Sequence, residues 1–585
     1  MDIQFLGGAT TVTGSQFLLT TERARVLVDC GMFQGSPNES IRNRIPFAYD
    51  PGELDAVLLT HAHLDHCGLL PLLVKDGYKG PIHCTAGTAE LATLVLLDSG
   101  KLHEEFAKRN ARWERRHPDL VEADDRKQED AYEAALELAK EGETPAPDPD
   151  PSIVPPSPAA AAAAATTAAG SRTGDPEDMA ADASAATTAE LDDPTAGGQH
   201  VATSVEPDLP AGSWPRDPEA DLRAQPPHLD IDLDAPLYTT DDAELAIAQF
   251  RATGYDRELE VAPGIHATFV DAGHILGSAI IKLRVTEHEG GEERHLVFSG
   301  DLGRPGTPIL RDPTPLTDAD YVLVESTYGG REHEPSEEAL RILAETIRLV
   351  ADAKGVLLVP SFAIGRTQEV VWELDRMIDR GQIPLLPLYL DSPMASKASD
   401  IYRRHPDYYD EETAALLRSG DTPLDYPKQI VTNSPRESEA IEQAARPYMI
   451  VASNGMLTGG RVVGHLRHLI DDPAATILFV GYQGEGTLGA HLQAGAKQVK
   501  LDGQVRTVRC QIRSISGFSA HADESELLDW LRRFSAGKQS GAPGYPRRVF
   551  LVHGDPEAQV ALEPKVRALG FATHVPHWHE RVTLD

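Results

Sequence analysis

Cysteine is scarce in this chain: Cys30, Cys67, Cys84 and Cys510 are the 4 in 585 residues. None form a CxxC pair, and so thin a supply argues against a disulfide framework. Aromatic residues make up 6% and form no ladder on which bases could stack. Basic charge is also short. The 54 Lys+Arg face 91 Asp+Glu, a formal charge of −37. The broad basic footprint of a nucleic-acid binder is therefore missing, and any site for a polyanion must be local, built from a metal centre and a few arginines. No apolar run is long enough to span a membrane, and the amino terminus, Met1-Asp2-Ile3-Gln4-Phe5, enters a strand without a basic leader. A cytoplasmic protein with no membrane association is expected.

The acidity is uneven. Residues 114–235 carry 28 acidic and 8 basic side chains, over half of the imbalance. Composition shifts there: a charged, helix-compatible stretch (Trp113–Lys140) gives way to Pro/Asp repeats, an alanine tract (Ala159–Ala165) and a Ser/Thr/Ala/Asp mixture. Few apolar residues with high charge cannot bury enough surface to offset chain entropy. Residues about 106–235 read as an acidic insertion, disordered over roughly 141–228, either inert or a tether for a protein partner. Around it, length and pattern suggest several domains. Short strands (Ile3–Gly7, Ser15–Thr20, Arg25–Asp29) and a helix (Ala86–His103) precede the insertion. After it come a helix at Asp241–Phe250, capped by Thr240 or Asp241, and strands at His266–Asp271, Ala279–Val285, His295–Ser299 and Tyr321–Glu325. From about 332 to 515, strands and helices alternate as in a mostly parallel α/β sheet.

The richest six residues are His61-Ala62-His63-Leu64-Asp65-His66. Three imidazoles and a carboxylate within one turn suit Zn²⁺, and a catalytic zinc keeps a position open for water. The apolar run Asp55–Thr60 before them reads as a buried strand and Gly68–Val74 after them as a helix start, so the cluster sits at a strand's carboxyl end, where α/β sites form. Solvated loop histidines are the bland alternative. Two later turns, Asp271-Ala272-Gly273-His274 and Ser299-Gly300-Asp301, are weak alone. In company with the histidine loop they fit a dinuclear zinc arrangement, which can generate hydroxide and hold both oxygens of an in-line displacement.

This order of motifs resembles the metallo-β-lactamase fold. The resemblance implies one ligand set of His61, His63 and His274, and another of Asp65, His66 and a final histidine. Asp301 bridges them, and Asp29 orients the histidine loop from behind. Further on, Val324-Glu325-Ser326-Thr327-Tyr328-Gly329, Gly517-Phe518-Ser519-Ala520-His521-Ala522-Asp523 and Leu551-Val552-His553-Gly554-Asp555 look like motifs A, B and C of the β-CASP nucleases. The likeness covers residues 1–104 and 236–585. It implies an α/β fold, a metallo-β-lactamase αββα sandwich (1–329, with the insertion, and 516–585) holding an inserted α/β β-CASP domain (330–515).

By the same resemblance Glu325 supports His521, and His553 is the last metal ligand; a histidine there is typical of RNA-acting members. The implied function is a zinc-dependent ribonuclease with two Zn²⁺ per chain. A metal-bridged hydroxide attacks the phosphodiester, Asp65 helps orient it, and His521 protonates the leaving oxygen. Arg366, Ser361, Thr367 and Arg461 are candidate phosphate contacts. Asp555 stands where the family commonly has Glu, and Ser535–Arg547 adds a surface loop. A small-ester or thioester hydrolase on the same fold and a non-catalytic RNA-binding scaffold are the alternatives. The sequence does not separate endonuclease from 5′-exonuclease action, and leaves a homodimer open.

Overall fold

The computed structural model describes residues 1–143 and 233–585, apart from Glu289, Tyr482, Glu485 and Asp502. From residue 144 on, the segment read as disordered lies outside the described residues. Among the described residues two seven-stranded sheets face each other. The first contains β1 (Asp2–Gly7), β2 (Gln16–Thr20), β3 (Arg25–Val28), β4 (Ala56–Leu58), β5 (Ile82–Thr85), β6 (Phe250–Thr253) and β22 (Arg581–Thr583), in the order β22-β1-β2-β3-β4-β5-β6. The second contains β7 (Glu258–Ala262), β8 (Ile265–Asp271), β9 (Ala279–Thr286), β10 (Glu293–Phe298), β11 (Tyr321–Glu325), β20 (Arg548–Val552) and β21 (Thr573–His574), in the order β21-β20-β11-β10-β9-β8-β7.

The side-chain period of two explains the layering. Phe17 and Leu19 of β2 point between the sheets, onto a core with Phe269, Ile281, Phe298 and Phe550. Leu18 between them points outward, into a core shared with Leu91 and Leu96 of a covering helix and with Tyr238. Strands buried on both faces read as continuous apolar runs, which made them visible in the sequence. Helices Glu524–Ser535 and Pro556–Ala568 cover the outer face of the second sheet. The result is an αββα sandwich.

Three helical expectations need correction. The helix begun at Ala86 runs to Arg116, not His103; between Gly100 and Pro118 no proline or glycine intervenes. A second helix, Pro118–Glu143, follows within the stretch assigned to the insertion. Its Tyr132, Ala135 and Ala139, spaced three and four apart, are buried, and Ala139 packs with Phe33 and Trp578. The insertion's first ~40 residues thus belong to the folded body. The helix placed at 241–250 spans Thr240–Ile247, capped by Thr239 in a capping box with Asp242.

The third sheet is parallel throughout: β12 (Val356–Pro360), β13 (Leu388–Asp391), β14 (Gln429–Val431), β15 (Tyr448–Ala452), β16 (Ala475–Phe479) and β19 (Gln511–Ser514), in the order β14-β13-β15-β12-β16-β19. A hairpin, β17 (Gln498–Leu501) and β18 (Gln504–Thr507), lies apart. Helix Arg366–Asp379 joins the two halves of the molecule. Its Val370, Val371, Leu374 and Met377 enter the core of the third sheet, while Trp372 joins Tyr402 and Leu276 in the core of the sandwich. A continuous apolar contact seats the third sheet beside the strand ends of the sandwich.

Candidate active site

Six strands end at one rim of the sandwich, and each ending delivers a polar side chain. Asp29 follows β3, His61–His66 follow β4, His274 follows β8, Asp301 follows β10, Glu325 ends β11 and His553 follows β20. The histidine loop itself turns into a short helix, Leu64–Cys67, so Asp65 and His66 lie on a helical turn rather than ahead of one. Two glycines allow the crowding. A Cβ on Gly31 would lie 1.7 Å from the Asp65 carbonyl oxygen, and Gly300, at φ +55°, passes beside Thr60. Asp29 and His553 take the left-handed conformation themselves, with φ of 59° and 48°, a strained choice for residues with a Cβ that concentrates at functional sites.

The ligand atoms form two groups that share Asp301. In the first, His63 Nδ1 lies 3.2 Å from both His61 Nε2 and His274 Nε2. Asp301 Oδ2 stands 3.3 Å from His61 Nε2 and 3.6 Å from His274 Nε2. In the second, Asp301 Oδ1 is 3.2 Å from His66 Nε2 and 3.6 Å from His553 Nε2, and Asp65 Oδ2 is 3.5 Å from His553 Nε2. Ligands about 2.0–2.1 Å from a tetrahedral zinc stand about 3.3 Å from one another. The second group has a further signature: His66 Nε2, His553 Nε2 and Asp301 Oδ1 are buried without a hydrogen-bond partner. Orphaned buried polar atoms are costly unless an ion satisfies them. The donor set therefore fits two divalent cations with one bridging carboxylate.

Outer hydrogen bonds fix the rings. Asp29 accepts from the Thr60 amide and hydroxyl and holds His66 Nδ1, each at 2.8 Å. Thr60 Oγ1 also lies 3.1 Å from His61 Nδ1, and Thr327 Oγ1 lies 3.1 Å from His553 Nδ1. His274 Nδ1 donates to the Ala520 carbonyl at 3.1 Å. These contacts leave the other ring nitrogens aimed inward. Burial holds His61 down to about 3 and His63 to about 4, in the neutral form that ligates metal. For His66 burial works the same way, but the Asp301 and Asp29 carboxylates outweigh it and push the ring up.

His521 lies beside the groups. Its Nδ1 is 3.0 Å from Glu325 Oε2, and its Nε2 is 4.0 Å from Asp301 Oδ2. Glu325 is fully buried and also accepts from the Leu302 amide at 2.6 Å. Burial opposes the charged imidazole, yet Glu325 outweighs it and His521 is raised to about 9. A histidine backed by a buried carboxylate and held in its charged form has a proton it can donate.

The phosphate candidates stand apart from this arrangement. Arg366 is buried and donates to Glu369 of its own helix. Arg461 donates to Asp391 Oδ1 at 2.7 Å, in a cluster with His465, Thr432 and Ser438. Thr367 Oγ1 donates to Ser361 Oγ at 3.1 Å, and both are buried. The structure brings the metal candidates, Glu325 and His521 together, and it pairs both arginines with carboxylates instead. Thr60 and Thr327 were missed in the sequence. Their only signal was position, next to His61 and two residues after Glu325.

Comparison with known proteins agrees with this geometry. Residues 9–154 match the model of the metallo-β-lactamase superfamily, 367–492 that of the β-CASP domain, and 506–576 that of the Zn-dependent metallo-hydrolase RNA specificity domain. The chain is 31% identical over 584 residues to a protein named Ribonuclease TTHA0252 from Thermus thermophilus, covering 100% of both. The chain belongs to the β-CASP ribonuclease family. As a β-CASP protein it is a metal-dependent hydrolase. It is also 28% and 26% identical to proteins named Transcription termination factor FttA, from Methanosarcina mazei and Methanocaldococcus jannaschii; these matches cover 96% and 98% of this chain and 68% and 70% of theirs. No described helix is long and apolar enough to cross a membrane.

Proposed function

We propose that this β-CASP protein hydrolyses RNA phosphodiester bonds, using two zinc ions per chain and His521 as general acid. The observation that carries the reading is the His521–Glu325 pair standing 4.0 Å from the carboxylate shared by both ligand groups. His61, His63, His274 and Asp301 would hold one ion, and Asp65, His66, His553 and Asp301 the other. Such a pair, when bound, supplies Lewis acidity at the phosphate and lowers the pKa of water.

The chain's own residues do the rest. Asp65, partly exposed beside His553, accepts a hydrogen bond from the attacking water, directs it in line and takes up the proton the water loses as its oxygen bonds to phosphorus. Glu325 keeps His521 Nδ1 protonated and orients the ring. His521 Nε2 then gives its proton to the leaving oxygen as the P–O bond breaks, and the product alcohol departs neutral. An RNA alkoxide is a poor leaving group, so this proton matters; general acids contribute about 10²–10⁴-fold. His521→Ala should keep its zinc and lose RNA cleavage by about that factor. Undiminished cleavage of end-labelled RNA by the variant would remove His521 from the mechanism.

The relative named Ribonuclease TTHA0252 spans the same length as this chain, which supports RNA as substrate. A small-ester hydrolase has no use for the third sheet, and a scaffold has no use for orphaned metal-ligand atoms.

A further inference from the structure

His521 does not sit on a regular element. It lies on the stretch Ser516–Asp523, between β19 and helix Glu524–Ser535, where the chain returns from the third sheet to the sandwich. The chain leaves the sandwich along Ser326–Pro335, between β11 and helix Ser336–Asp352. The two crossings run side by side; Glu334 and His333 tie them together, and Arg304, from the loop between β10 and β11, ties the returning crossing to the sandwich.

Glu334 makes the densest tie. Its Oε1 accepts from the amides of Ser516 at 2.7 Å and Gly517 at 2.9 Å, and its Oε2 accepts from the Ser516 hydroxyl. Its own amide donates back to Ser516 Oγ at 3.4 Å. Burial would raise the Glu334 carboxyl, yet these donors hold it below its ordinary value, as expected for a carboxylate that accepts backbone N–H bonds. His333 reaches the other end of the loop. Its Nε2 donates to the His521 carbonyl at 3.1 Å, its amide donates to Asp523 Oδ2 at 3.2 Å, and its ring packs 4.3 Å from that of Tyr328. Arg304, three residues past Asp301, donates to the Gly517 carbonyl and to Glu526 at 3.3 Å. Gly517 has no room to shift: a Cβ there would meet Ala339 at 2.8 Å.

We propose that Glu334, with His333 and Arg304, forms a clamp that sets the position of His521 over the scissile phosphate, making these three positioning residues for the proton-transfer step. The inference rests on the ribonuclease reading and adds to it. The clamp holds the loop on both sides of His521, at the Ser516 and Gly517 amides and at the His521 carbonyl and Asp523 carboxylate, while Glu325 fixes only the ring. Proton donation needs the Nε2 proton within hydrogen-bond reach of the leaving oxygen, and a displacement of about 1 Å costs on the order of 10²-fold. Because both crossings are held together, the acid's position is also tied to the seating of the third sheet on the sandwich.

A leaving-group comparison tests this. RNA requires a proton at its leaving oxygen, whereas p-nitrophenolate departs unaided. Wild type, Glu334→Gln and His333→Phe are assayed with RNA and with bis(p-nitrophenyl) phosphate, alongside zinc content and melting temperature. Phe keeps the ring over Tyr328 and removes the donor to the His521 carbonyl, so it reads the clamp even if Glu334→Gln fails to fold. The expected result is a kcat on RNA reduced about 10–100-fold, with KM and zinc content near wild type and turnover of the activated ester within about twofold. Equal losses on both substrates, or no loss on RNA, would overturn the clamp. A wild-type protein that turns over the activated ester but leaves RNA intact would overturn the ribonuclease reading itself.

Discussion

At the residue scale the centre is a set of imidazoles and carboxylates, and hydrogen bonds hold the outward ring nitrogens of His61, His66, His274 and His553. Asp29 shows how much depends on one partner. It holds His66 Nδ1 and both polar groups of Thr60, and so fixes the tautomer that points His66 Nε2 at Asp301. Asp29→Asn would present an amide NH₂ or a weaker acceptor to those donors. The loss of such an orienting carboxylate costs about 10–100-fold in metal affinity. The variant should therefore release one zinc per chain at a correspondingly lower chelator concentration, while the ion on His61, His63 and His274 stays; release curves matching wild type would show that Asp29 does not orient His66. Four metal-ligand candidates were legible because His61–His66 packs them into one turn; His274 and Asp301 gained weight only beside that loop, and His553 only through the family resemblance. Glu334, His333, Arg304 and Thr327 were not legible. Their importance lies in contacts 182 or more residues away, such as Glu334 with Ser516, and no local pattern marks them.

At the element scale the strands were legible, and the limits of the helices on either side of the insertion were not. Strands β11, β15 and β20 fall where apolar runs bounded by turns placed them. The long helix from Ala86 outran its apolar stripe because helix propensity, rather than burial, carries it past His103. Helix Arg366–Asp379 buries ionisable side chains as well as apolar ones. Wedged between the third sheet and the sandwich, it buries Glu373 along with its apolar residues. Burial, and then Glu369 nearby, raise the Glu373 carboxyl from 4.5 to about 7. The folded state thus binds this proton more tightly than the unfolded chain. Its stabilising effect is complete below about pH 4.5 and is lost as pH rises through about 7, where charging the group costs on the order of 1–3 kcal/mol. Glu373→Gln should melt higher than wild type at pH 8 and match it at pH 4. A variant that melts lower at both values would show that the charged carboxylate has a stabilising partner.

At the scale of the whole molecule the puzzle is a chain of net charge −37 proposed to act on a polyanion. The two ligand groups resolve it locally, since two divalent cations would place four positive charges at the one rim where the sandwich strands end. Such ions would serve both as the anchor for phosphate and as the source of reactivity, and RNA should neither bind well nor be cut without them. The most direct measurement follows. Purified protein is analysed for metal and incubated with RNA labelled at either end, before and after chelation and after zinc is restored. The account predicts two zinc ions per chain, cleavage abolished by the chelator and recovered as the second equivalent of zinc returns. RNA cleavage that persists in metal-free protein, or a zinc-loaded protein that leaves RNA intact, would contradict it.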